Sequence, residues 1–74
     1  MSRIKHMEKL TLGEKIMIYR RRAGLDQNEL AVRSGVSRGT IISLEKGTNC
    51  YPNETTLKCL ADALRVKVEE LKGE

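Results

Sequence analysis

The stretch DQNELAVRSGVSRGTIISLEKG, residues 26–47, decides how the rest of this 74-residue chain is read. Asp26 followed three residues later by Glu29 is a capping box and predicts a helix opening there. Leu30, Ala31 and Ser34 then share one face at helical spacing. Gly35 ends that helix, because a sharp turn needs a positive φ that glycine adopts at little cost. Ser37 caps a second helix with Thr40 or Ile41, Leu44 and Glu45 on its inward face. Ala31 is small at the point where two crossing helices must touch.

Two short helices joined in this way form a helix-turn-helix, whose second helix is free to enter the DNA major groove. In order and spacing, Gln27, Leu30, Ala31, Gly35, Val36, Ile41 and Leu44 resemble the phage-repressor and Cro-type (XRE-like) helix-turn-helix domains. The likeness extends to Gly13, Ile16 and Arg20 before the motif. After it come Glu45, Gly47, Pro52, Leu57, Leu60, Ala61, Ala63, Leu64 and Val66. It covers roughly Thr11 to Leu71. The fold class it implies is all-α: a compact five-helix lambda-repressor-like domain with the helix-turn-helix at its second and third helices.

Composition agrees with short packed helices. The chain has no Phe or Trp, two Tyr and a single Pro. Residues 1–47 hold ten Lys/Arg and five Asp/Glu, a net +5, while residues 48–74 hold four and five, a net −1. Positive charge therefore gathers with the groove-binding half, as an electrostatic footprint for DNA requires. Cys50 and Cys59 make no disulfide framework, and the single His, at position 6, is too distant to complete a zinc site. No cofactor is expected. No signal peptide or membrane-spanning run is visible, so a cytoplasmic protein is expected.

Residues 1–9 lack sustained periodicity and read as a flexible N-terminal arm, leaving 10–74 as the DNA-binding domain. Thr11 with Glu14 is another capping box, opening a first helix whose inner stripe is Leu12, Ile16, Tyr19 and Ala23, ended by Gly24. Met17 and Ile18 fall off that stripe. Arg20, Arg21 and Arg22 point in three directions. The resemblance implies a structural salt bridge between Arg20 and Glu45, and leaves Arg21 and Arg22 to solvent or peripheral phosphate. After the polar loop TNCYPN, Asn53 caps a fourth helix with Leu57, Leu60, Ala61 and Leu64 inward. A short fifth helix from Val68 to Lys72 lacks a good cap, since Lys67 occupies that position.

The recognition helix presents Arg38, Thr40, Ile42 and Ser43 for base contact. Arg38 can donate two parallel hydrogen bonds to guanine, and Ile42 can meet a thymine methyl. Gly39 departs from the long polar residue common in the family; it lets the backbone approach the bases or gives Arg38 room. Gln27 and Asn28 open a helix whose amides suit a phosphate, and the resemblance makes Gln27 both a backbone anchor and a brace. Ser37, Lys46, Thr48, Asn49 and Tyr51 complete the expected phosphate contacts.

One copy has few contacts, so a homodimer on an inverted repeat is expected, with Val66, Val68 and Leu71 either at its interface or in the core. No nucleophile–base set exists, which makes the expected role binding and not catalysis. The leading expectation is a sequence-specific transcriptional regulator, a repressor, with double-stranded DNA as its partner. The alternatives are an antitoxin or a restriction–modification controller, and a protein–protein adaptor that has lost DNA binding.

Overall fold

A computed structural model describes residues 10–48 and 51–72. The chain forms α1 (Leu12–Arg22), α2 (Gln27–Ser34), α3 (Arg38–Lys46), α4 (Glu54–Leu64) and α5 (Val68–Lys72). No strand occurs among the described residues. The N-terminal arm lies outside them.

Local chemistry sets the helix starts. The Thr11 hydroxyl accepts from the Glu14 amide while the Glu14 carboxylate accepts from the Thr11 amide at 2.8 Å. Asp26 and Glu29 repeat this reciprocal box at the start of α2. Ser37 and Asn53 accept from the Thr40 and Thr56 amides to open α3 and α4. Each cap satisfies an amide that the helix itself leaves without a partner, and contributes about 1 kcal/mol.

The helix ends follow one rule with one exception. Beyond α1 and α3, Gly24 and Gly47 take positive φ, and the next residue's amide reaches back to the last turn. Gly35 ends α2 with a single bond to the Ala31 carbonyl. At the end of α4 the same left-handed place is filled by Arg65, at φ 60°. That conformation crowds a β-carbon and costs about 1 kcal/mol.

The core joins all five helices. Ile16, Leu30, Ile41, Leu44, Leu60 and Leu71 are almost wholly buried, with Leu25, Leu57, Ala61 and Leu64 around them. The inner stripe of α1 differs from the sequence expectation. Ile16 is buried and Leu12 and Tyr19 are partly so, but Ala23 is exposed. The helix closes at Ala23, and Leu25 turns inward in its place when its amide bonds the Arg20 carbonyl. Lys15, absent from the expected stripe, lays its aliphatic stem against the core and is only 6% exposed. Met17 and Ile18 are both half-buried. Leu71 belongs to the core of this chain, and Val66 and Val68 pack against it.

Candidate nucleic-acid interface

The helix-turn-helix is α2, the turn 35–37 and α3. Three contacts fix how α3 is presented. Ile41 and Leu44 are buried on its inner side, which turns Arg38, Gly39 and Lys46 outward. Gly13 of α1 sits against the α3 backbone so closely that a β-carbon there would overlap the Leu44 carbonyl oxygen. The third contact is polar, and it centres on the carboxylate of Glu45.

Arg20 donates to both oxygens of Glu45, from Nε to Oε2 at 2.8 Å and from Nη2 to Oε1 at 3.2 Å. Its Nη1 donates to the Leu25 carbonyl at 2.9 Å. Gln27 adds a bond from Nε2 to Glu45 Oε1 at 3.0 Å. One carboxylate thus ties α1, α2 and α3 together. The two charged side chains are 11% and 4% exposed, so the planar fork of arginine matters more here than at an open surface. Hydrogen bonding to Glu45 holds the Arg20 pKa above its ordinary value; burial opposes this, and the charges of Glu45 and Asp26 reinforce it.

The same cluster shapes the electrostatics. Glu14, Asp26 and Glu29 cap helices, and Glu45 is paired with Arg20. Each negative charge of the α1–α3 half thus has a local hydrogen-bond partner, while Arg21, Arg22, Arg33, Arg38 and Lys46 are exposed. Arg22 also stacks over the Tyr19 ring, 5.9 Å from its centroid.

The candidate contact residues differ in what they have left to offer. Arg38 is exposed at the start of α3, and Thr40, Ile42 and Ser43 are half-buried. The Ser37 hydroxyl accepts from the Thr40 amide and donates to Thr40 Oγ1 at 2.8 Å, which leaves the Thr40 hydroxyl its own proton to donate outward. Ser37 can then meet a phosphate only through its backbone amide. Thr48 directs both its amide and its hydroxyl to the Ser43 carbonyl, so its donors close α3. Gln27 keeps one amide proton, Asn28 is exposed, and Tyr51 is 93% exposed. Asn49 lies outside the described residues.

Two features were not legible beforehand. The contact of Gly13 with Leu44 had one signal, a glycine just inside a helix where it weakens the helix. Val32, 84% exposed on α2, had none. Among the described residues no group of His, Cys, Asp or Glu could hold a metal, and no helix is long and apolar enough to cross a membrane.

An α2–α3 pair joined by a glycine turn, packed on the core through Leu30, Ile41 and Leu44 and braced by Arg20 and Glu45, defines a helix-turn-helix domain. The helix-turn-helix family profile matches residues 16–71. The chain belongs to that family, in its phage-repressor and Cro (XRE) type. It is similar to the HTH-type transcriptional regulator SlrR of Bacillus subtilis (strain 168), 38% identical over 60 residues, which covers 81% of this chain and 40% of SlrR. It is 38% identical over 61 residues to the HTH-type transcriptional repressor RghR of the same organism, covering 82% of this chain and 45% of RghR. A third relative there, the uncharacterized HTH-type transcriptional regulator RghRB, is 41% identical over 59 residues, covering 80% and 42%. The chain thus spans less than half the length of these curated relatives.

Proposed function

We infer that this chain is a sequence-specific DNA-binding transcriptional regulator, acting as a repressor by occluding its operator. The observation that carries this is the presentation of α3. Its inner face is buried, its C-terminal end is clamped through Glu45, and it leaves Arg38 and Gly39 exposed in its first turn with Thr40, Ile42 and Ser43 half-buried beside them. In this reading those four side chains meet base edges. Gln27, Asn28, Lys46, Tyr51 and the Ser37 amide hold phosphates, which position the helix without choosing sequence. The relatives named as transcriptional regulators, one of them a repressor, support the same role.

One α3 offers too few contacts for strong selection. Two copies paired two-fold would place their recognition helices about 34 Å apart, one turn of DNA, and read an inverted repeat. The role is binding, without catalysis.

Selection of sites from a random double-stranded pool, at about 150 mM salt to suppress non-specific binding, tests this reading. An enriched inverted repeat with half-sites one turn apart is expected. Weak, salt-sensitive binding with no enriched sequence overturns it, and a protein partner then becomes the object of search.

A further inference from the structure

Five glycines are described, and the fold accounts for four of them. Gly24, Gly35 and Gly47 hold positive φ at helix ends, and Gly13 has no room for a side chain. Gly39 is different. It lies inside α3 without positive φ, and a β-carbon built on it meets nothing within 4 Å. Neither conformation nor packing calls for glycine there. Glycine still weakens a helix relative to alanine by an amount worth about 4 °C in Tm for a chain of this size. The remaining physical use of a missing β-carbon is close approach by something outside the chain.

Position and neighbours identify that something. Gly39 is exposed beside Arg38 in the first turn of α3, and Ile42 and Ser43 follow at i+3 and i+4 on the same face. Side chains at that spacing stand about 5–6 Å apart, so the bare Cα leaves open space beside Ile42. The group that projects furthest into a major groove as a small apolar knob is the C5-methyl of thymine. We propose that Gly39 is a specificity-determining residue: its bare Cα, with Ile42 alongside, seats one thymine methyl per half-site. This rests on the DNA reading above and adds to it which base pair is chosen and how. Arg38 would read the neighbouring pair by hydrogen bonds.

The test uses the sequence selected by the unmodified chain and a set of copies in which each thymine in turn is replaced by deoxyuridine. That change removes the methyl and leaves base pairing intact. At one position per half-site the unmodified chain is expected to bind the uracil copy about fourfold more weakly, the effect of one buried methyl. Gly39→Ala is expected to melt at an equal or higher temperature, to bind the thymine site about tenfold more weakly because two methyls collide, and to recover part of that loss on the uracil copy. A reversed thymine preference in a more stable protein has no explanation in a purely structural glycine. A Gly39→Ala variant that binds as tightly as the unmodified chain, or that loses affinity equally on both sites, overturns the proposal while leaving the DNA reading standing. Failure of the unmodified chain to select any sequence overturns both.

Discussion

Gly13 of α1 and Leu44 of α3 meet backbone to backbone: a β-carbon at position 13 would overlap the Leu44 carbonyl oxygen and lie 3.0 Å from the Glu45 Cα. The first helix can reach the recognition helix this closely only because the side chain is absent. The contact lies next to Glu45, whose carboxylate receives Arg20 and Gln27. Steric approach and polar clamp therefore act on the same turn of α3, and together they set the angle at which its outer face is offered.

Gly13→Ala should be destabilising although alanine favours helix. The obstacle is backbone, which cannot rotate away as a side chain can, so the overpacking cost of roughly 1–3 kcal/mol outweighs the gain of up to about 1 kcal/mol in helix propensity. A Tm lower by about 5–10 °C is expected from thermal unfolding followed by circular dichroism. An unchanged or raised Tm would show that α1 and α3 separate freely.

Glu45→Gln should remove more stability than a surface ion pair contributes. It leaves the Arg20 guanidinium, 11% exposed, without its counter-charge, and a loss of about 2–4 kcal/mol in urea unfolding is expected. A loss below about 0.5 kcal/mol would place the pair with solvent-screened contacts.

The pH dependence of this pair has a definite sign on the arginine side. The folded-state pKa of Arg20 is raised above the ordinary arginine value, so its contribution is complete below that ordinary value and disappears only as pH climbs through the higher folded value. The stability difference between the unmodified chain and Arg20→Met should therefore stay constant from about pH 7 to about pH 10. A difference that shrinks across that interval would contradict the raised value.

Arg38→Ala is expected to leave unfolding within about 0.5 kcal/mol of the unmodified chain, because the side chain is exposed. Its effect should fall on DNA: a loss of about 1–3 kcal/mol of discrimination at one base pair per half-site, read from the selected consensus. Gln27→Ala should instead weaken every sequence alike. If both variants kept the original consensus with equal loss of affinity, Arg38 would be a phosphate contact.

Arg65→Gly should stabilise. Arg65 holds φ 60° at the end of α4, where α1, α2 and α3 use glycine. Removing the crowded β-carbon is expected to raise stability by about 0.5–1 kcal/mol, offset slightly by greater freedom in the unfolded chain. A lower Tm would mean that the arginine side chain makes a contact outweighing the strain.

The sequence by itself determined the starts of α1 to α4 and the ends of α1 to α3, because these depend on residues a few positions apart, while the end of α4 at Arg65 carried no such signal. Thr11 with Glu14, Asp26 with Glu29, Ser37 and Asn53 act within a single turn, and Gly35 and Gly47 need only their own backbone freedom. The apolar spacing of Leu30, Ile41, Leu44, Leu57, Leu60 and Leu64 likewise names the inner faces before any packing is known. The Arg20–Glu45 pair, 25 positions apart, came into view only through resemblance to other helix-turn-helix domains. Tertiary structure alone decided what depends on distance across the fold. It placed Gly13 against Leu44, drew the Lys15 stem inward, left Ala23 outside once Leu25 took the interior position, and drew Leu71 into the core. It also separated Gly39 from the other described glycines, since only the space around a residue can tell whether a missing side chain serves the protein or what the protein binds.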